Sequence, residues 1–455
     1  MSRYQAYSEY KETNTDWLGS APKHWKVIPV GRLFRRIKRT KQTDKELLSV
    51  YRDYGVIPKA SRDDNNNRAS EDLSPYQLVE PNDLVMNKMK TWQGSIAISE
   101  YEGIVSPAYF VYQPSGRLFD LAHPKYVHYL LRNPMYIAQY QRRSKGIRVS
   151  QWDLDPEEFQ RIELLLPEKD EQLKIFQFLD HETAKIDTLI EKQQQLIKLL
   201  NEKRQAVISH AVTKGLNPNA HMCDSNVEWL GEMPAHWTVS KVKWIVEMTG
   251  RIGYRGYTVN DIVDEGEGAI VLSPSNINVR GFNLENKVFL SWDKYFESPE
   301  IILEPGDVML VKTSWSFGKV AVVSEVSSPM TINPQMLLLK RSKIDSRFVS
   351  YFLNTDALQA RIFMINTGSY MPTMTQENVG KLPMFIPPND EAKDIADFIE
   401  GQCVKFSTLL DKQESVIGLL QERRTALISA AVTGKIDVRS WQVPKSSSQG
   451  AINGG

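Results

Sequence analysis

Cysteine is nearly absent from this 455-residue sequence: Cys223 and Cys403 are the only two. No disulfide framework can be built from them, and such usage fits a reducing cytoplasm. Histidine is scarce as well, with seven residues in all. Neither His nor Cys recurs at metal-ligand spacing, so no metal site is expected. A Walker-type phosphate loop is missing. Gly250, Gly253 and Gly256 lack dinucleotide-binding spacing and read as a flexible loop. No apolar run approaches the length of a membrane span, and the first residues lack the apolar stretch of a signal peptide. The formal net charge is only +1, so no global excess of one sign announces nucleic acid. Nor is there a hydrolase triad signature. Asp83 and Asp307 each precede a Lys, and Glu285 and Lys287 form a Glu-x-Lys pair. In so charged a chain these faint echoes of metal-dependent nucleases arise by chance, and the two Asp read as turn residues. The sequence does not look like an enzyme acting alone.

What the chain does contain is a repeat. Residues 171–213 and 391–433 align without a gap, and each reads as one long helix. The first carries a stripe of Leu179, Ile186, Ile190, Gln193, Ile197, Leu200, Arg204, Val207 and Ala211. The second carries Ile399, Phe406, Leu410, Gln413, Ile417, Leu420, Arg424, Leu427 and Ala431. Spacings of seven, four and three with a charged opposite face form a coiled-coil or bundle seam. Gln193, Gln413, Arg204 and Arg424 are polar seam positions, of the kind that fixes register. If the helices pair antiparallel with Gln193 facing Gln413, Arg424 falls near Glu182, and Arg204 near Gln402 and Glu400.

The repeat extends into the flanking segments. Trp17-Leu18-Gly19 with Pro22, His24 and Trp25 matches Trp229-Leu230-Gly231 with Pro234, His236 and Trp237. Pro81-Asn82-Asp83 with Lys88 and Gly94 matches Pro305-Gly306-Asp307 with Lys312 and Gly318. Tyr126 matches Phe348, and Gly146 matches Gly368. A duplication of this kind is found before any fold is assigned. The fold class is therefore α+β: a mixed α/β domain followed by a long helix, all of it duplicated, with the helices pairing as an antiparallel coiled coil. The expected domains are 1–167, a helix over 168–215, 216–387, a helix over 388–436, and a disordered tail over 437–455. Strands are predicted at 83–86, 95–99, 109–112 and 163–166, and at 269–272, 307–311, 320–323 and 336–339. Residues 125–141 and 347–365 read as helical, the first broken at Pro134. His24 and His236 read as packing residues of a structural turn.

Charge is unevenly spread. Between Lys26 and Arg62 there are about eleven basic residues against about three acids. Between Lys125 and Arg148 there are about six and no acid. Two such runs in one globular segment favour a phosphate-binding surface. Two similar modules held apart by paired helices suit a ligand with two separated sites. Helices of about 43 residues reach roughly 65 Å, enough for DNA half-sites about 34 Å apart.

These motifs, in this order and duplicated, resemble the specificity subunits of type I restriction–modification systems. The features that carry the likeness are the Trp-Leu-Gly-x-x-Pro-x-His-Trp entries, the Pro-x-Asp turns, and the exits Leu166-Pro167 and Ile386-Pro387 into the long helices. Glu171-Gln172 opens the first helix, and Glu391-Ala392 departs from that pattern in the second. The resemblance implies two target-recognition domains that read a split, asymmetric DNA sequence, with the helices setting the gap. It implies two methyltransferase subunits that bring S-adenosylmethionine, and restriction subunits that use ATP and Mg. This chain would bind no cofactor itself, span no membrane and work in the cytoplasm.

For base reading, the first unit offers Lys88, Lys90 and Gln93 on one loop, and Arg142, Arg143, Lys145, Arg148, Ser150 and Gln151 on another. The second offers Lys312 and Ser314, then Asn366, Thr367, Ser369 and Tyr370. Arg35, Arg36, Lys38, Arg39 and Lys41 suit phosphate. Trp92 and Trp315 read as buried anchors. Other readings stay open: the specificity subunit of another methylating restriction enzyme, a coiled-coil scaffold that never reads DNA, and a nuclease.

Overall fold

A computed structural model describes residues 4–52, 54–62, 69–146, 152–251, 253–278, 281–366 and 371–443. The chain divides into two compact units. Unit one is Met1–Gln193 with Glu414–Gly455, and unit two is Gln194–Gln413. The first long helix is Lys169–Lys214 and the second Asn389–Val432. Each unit thus holds the first part of one long helix and the last part of the other. Within unit one the Arg424 Nε lies 2.9 Å from the Asp187 carboxylate. Asp187 stands five residues beyond Glu182, the partner expected from the sequence. Glu182 pairs instead along its own helix with Lys185, at 3.1 Å, while in unit two Arg204 shares a cavity lining with Cys403, next to the expected Gln402. The seam itself is as predicted. Ile186, Ile190, Ile197 and Leu200 are shielded while their neighbours are exposed.

In unit one, Lys26–Pro29 pairs antiparallel with Glu163–Leu166, bringing the start and end of the globule to the foot of the first long helix. The central sheet is antiparallel, in the order Phe34–Ile37, Tyr109–Pro114, Leu84–Asn87, Ile96–Ile98. Alternation sends Phe34, Leu84, Met86 and Tyr112 into one core. There they meet helices Pro124–Leu131 and Pro134–Arg143, long-helix residues Ile175 and Phe178, and Ala431 of the second long helix. Val85, Ala97 and Val111 face a smaller core built with Leu48, Val50 and Val79. The helix break falls at Pro134 as predicted, with the Asn133 side chain accepting from Met135 N at 2.8 Å.

Unit two repeats the plan. Thr238–Lys241 pairs with Pro383–Ile386, and the central sheet runs Glu247–Thr249, Met336–Lys340, Val308–Val311, Val320–Val322. A second four-stranded sheet includes a parallel pair, Gly268–Leu272 with Met330–Ile332. The segment predicted as one helix over 347–365 is two, Ser346–Leu353 and Asp356–Met364. No proline marks this break. The Thr355 hydroxyl instead donates to Phe352 O at 2.8 Å.

The repeated motifs explain themselves as joints. In unit one, His24 Nε2 lies 2.7 Å from Glu171, and Trp25 Nε1 and Tyr7 Oη donate to it at 3.0 and 2.6 Å. In unit two, His236 Nε2 lies 2.7 Å from Glu391 and Trp237 Nε1 donates at 3.0 Å. Each entry motif thus clamps the first turn of a long helix, where a carboxylate also suits the helix dipole. Gln172 adds bonds to His123 N (2.8 Å) and from its amide to Leu121 O (2.9 Å). Ala392 makes no such bonds and is simply buried. The tail assigned to 437–455 needs correcting. Asp437 N donates to Gln5 O at 2.7 Å, Val438 is buried, and Trp441 meets Phe178 edge-on at 5.5 Å. Those residues close unit one because apolar side chains there complete its core. Residues 444–455 lie outside the described residues.

Candidate nucleic-acid interface

The sequence singled out two loops in each unit, and the fold brings each pair together. In unit one, the short turn Thr91–Gln93 packs against helix Pro134–Arg143. Gly94 permits this: its φ is +97°, and a Cβ there would lie 2.8 Å from Ile137 Cδ1. Trp92 stacks obliquely on Trp152, with ring centroids 5.2 Å apart. Ser144–Lys145 pairs with Asp153–Leu154 at the base of the second loop. In unit two, Gly318 has φ +82°, and a Cβ there would meet Gln359 Oε1 at 2.9 Å. Thr313 bridges Thr373, and Asn366 Oδ1 accepts from Thr373 N at 2.8 Å.

The basic candidates sort by their partners. Arg39 donates to both Glu80 and Asp83, and Lys340 holds Glu304 and Asp307 in unit two at 3.2 and 3.0 Å. Arg39 is therefore committed to the Pro-x-Asp turn and drops out of the phosphate set. Asp83 and Asp307 are the turn residues expected, accepting from Glu80 N (2.9 Å) and Glu304 N (2.8 Å). The Arg36 guanidinium sits 4.2 Å from the Phe110 ring centroid, and Lys88 Nζ sits 4.8 Å from it. Lys88 also donates to Pro107 O at 2.6 Å. Arg35, Lys38, Lys41, Lys90, Gln93, Arg142 and Lys145 are exposed. Arg143 leans on Glu158 at 3.7 Å. In unit two, Lys312 is half-buried, and burial alone lowers its ammonium. Ser314 meets Ser316 at 2.9 Å between hydroxyls. Arg148, Ser150, Gln151, Thr367, Ser369 and Tyr370 lie outside the described residues.

Two corrections concern aromatics. Trp315 is 83 % exposed and is no buried anchor. Trp92 is partly shielded, by Trp152. Asp153 lies just past the second loop, in the strand that pairs with Ser144–Lys145. Partial burial raises its carboxyl, and Lys88 and Arg36 pull it back down. Arg251, beside the glycines read as a flexible loop, is buried and donates to Thr331 Oγ1 and Ile332 O, both at 3.3 Å. Among the described residues no group of His, Cys, Asp and Glu is arranged to hold a metal, and no helix is long and apolar enough to cross a membrane.

No family model matches the chain. Two curated proteins match nearly end to end. The StySPI specificity subunit of a type I restriction enzyme from Salmonella potsdam is 21% identical over 443 residues, covering 93% of this chain and 91% of the relative. The EcoKI specificity subunit from Escherichia coli K12 is 18% identical over 445 residues, with the same coverage. In sequence and in fold, the chain resembles the specificity subunits of type I restriction enzymes. A solved chain, described under complex assembly and conformational transition of the type I R-M system, superposes with a TM-score of 0.63. It is 14% identical, over 90% of this chain and 98% of that one. The HsdS subunit from Thermoanaerobacter tengcongensis gives 0.50 at 15% identity, over 91% and 98%. At such identities these structures speak for the fold of a specificity subunit.

Proposed function

We propose that this chain is the DNA sequence-specificity subunit of a type I restriction–modification complex. Each unit reads one half of a bipartite, asymmetric target, and the paired helices set the gap. The observation that carries this reading is a duplicated frame with divergent loops. The clamps at Glu171 and Glu391 are alike, while the matched loops share little beyond Lys, Gly and a Trp displaced by one position. Half-sites that differ require such a pattern. The first helix, at 46 residues, is about 69 Å long at about 1.5 Å per residue, ample for half-sites about 34 Å apart.

The chain makes no bonds itself. Two methyltransferase subunits carry S-adenosylmethionine, and restriction subunits carry ATP and Mg. Two copies of one partner need two like surfaces. Unit one exposes Leu189, Val416 and Leu419; unit two exposes their counterparts Leu409, Leu196 and Leu199. The exposures match closely, 62% for Leu419 and 59% for Leu199. Exposed leucines that are retained in both copies fit a shared protein partner.

The test is a methylation map of cells that express the chain with its methyltransferase, against cells that lack it. A split motif that disappears without the chain supports the reading. Exchanging residues 26–165 should then alter one half of the motif only. An active methyltransferase whose motif ignores this chain would leave a scaffold.

A further inference from the structure

The reading faces of the two units differ in chemistry. Unit one presents Arg36, Lys90, Arg142 and Asp153 beside half-buried Lys88, with Met89 (44% exposed) its one large apolar side chain in the Lys88–Gln93 loop. Unit two presents Trp315 (83% exposed), Phe363 (69%) and Met364 (73%). Matching Lys88 and Gly94 to Lys312 and Gly318 sets Trp315 opposite Thr91, which is buried. Matching Tyr126 and Gly146 to Phe348 and Gly368 sets Phe363 and Met364 opposite Gln141 and Arg142. The apolar residues share one neighbourhood. Gly318 lets the Trp315 loop lie on Gln359 and Ile362, and Phe363 and Met364 end that same helix.

Large apolar side chains this exposed mark a binding surface. A protein gripped alike by both units would need matched residues, as at Leu199 and Leu419. Phe363 and Met364 have no such matches, and Trp92, one position from Trp315's counterpart, is shielded by Trp152, so the ligand of Trp315, Phe363 and Met364 is one that differs between the units, namely the half-site. Lys312 stands three residues before Trp315 and is half-buried. The apolar group that a base pair shows in the major groove is the thymine 5-methyl. Resting on the DNA-reading role above, we infer that unit two recognises its half-site through thymine methyl groups packed against Trp315, Phe363 and Met364. Unit one reads its half through charged and hydrogen-bonding groups.

The experiment uses the whole chain with its methyltransferase, and duplexes carrying the mapped motif. Thymines in one half-site at a time are replaced by deoxyuridine, which lacks only the methyl. Residue exchange identifies which half belongs to unit two. Replacement there should weaken binding by about fourfold per contacted methyl, while replacement in the other half changes it by less than about twofold. Trp315→Ala should weaken binding to normal DNA and reduce the further loss on replacement. Equal effects in both halves, or none in either, overturn the inference. A Trp315→Ala loss with no uracil effect assigns the side chain to a wedge between base steps and overturns it too. Loss of methyltransferase association in Trp315→Ala would make the patch a protein contact. A map with no motif dependent on this chain would remove the DNA-reading role itself, and the inference with it.

Discussion

Glu171 and Glu391 occupy the same place in two copies of one joint, but unit one has more around it. Tyr7 gives Glu171 a third hydrogen bond, and Arg439 lies 5.0 Å from the Tyr7 ring centroid. Among the described residues Glu391 bonds to His236 and Trp237, and it keeps more solvent contact. The reason is chain connectivity. In unit two the first long helix runs on through Gly215 into the strand Met222–Asp224, which pairs with Glu232–Pro234. In unit one the matching strand, Tyr10–Glu12, pairs with Ser20–Pro22, and no covalent link joins it to the second helix. Noncovalent contacts do that work: Tyr10 Oη donates to Gly434 O at 2.9 Å, and Asp437 N to Gln5 O. The extra bonds in unit one replace a peptide link, so the same substitution should cost more there.

The largest expected effect is at the clamp. Glu171→Ala strands the buried Trp25 N–H and the Tyr7 hydroxyl, and should cost about 3–4 kcal/mol. Glu391→Ala should cost about half that, because its site is wetter. Denaturant unfolding, with tryptophan emission to follow each clamp, measures both. Equal costs would break the comparison. The helix ends come next. Gly434 and Gly215 both have positive φ, +71° and +72°. A Cβ on Gly434 would strike the Pro22 ring, whereas one on Gly215 finds its nearest atoms at 3.4 Å. Gly434→Ala should therefore cost about 2–3 kcal/mol, and Gly215→Ala about 1 kcal/mol from backbone strain alone.

A third contrast concerns pH. His128 in unit one corresponds to Ser350 in unit two, and Arg132 to Asn354. The imidazole Nε2 lies 2.8 Å from Arg132 Nη1, and Nδ1 is 3.3 Å from Ile98 O. Burial, helped by the Arg132 charge, pushes His128 down to about 3. Between about pH 6.5, its unfolded value, and about 3, the unfolded chain binds a proton that the folded chain refuses. Stability therefore falls as pH falls through that window, by about 1.4 kcal/mol at pH 5.5. His128→Ser should flatten the loss for unit one and leave unit two unchanged. Urea midpoints across the pH range would show it.

Much of this was legible in the sequence because it is periodic or local. The seam stripe follows from 3.6-residue geometry, and the Pro134 break from a missing N–H. What stayed hidden depends on distant partners. Nothing near Arg39 reveals that it meets Asp83, and the break at Thr355 has no proline to announce it. Trp315 misled because tryptophan is more often buried than not. Asp153 lies two residues past the loop end at Gln151, in a strand of two residues that leaves no periodic trace in the sequence. The parallel pairing of Gly268–Leu272 with Met330–Ile332 joins segments some sixty residues apart, a separation that single-strand patterns do not encode.

The smallest effect tests the two reading faces directly. Arg36 sits over Phe110 at the edge of the central sheet, beside Lys88. If it holds a phosphate, Arg36→Ala should lower the slope of log K against log salt by about one, and alike for every sequence. Met364→Ala on the other unit removes apolar contact and no charge. It should leave that slope unchanged while weakening binding to the cognate motif more than to other DNA. A change in slope from Met364→Ala, or none from Arg36→Ala, would erase the division between a charged face and an apolar one. Opposite signatures from two exposed residues would show that one duplicated frame supports two kinds of recognition, with no change in the joints that hold it.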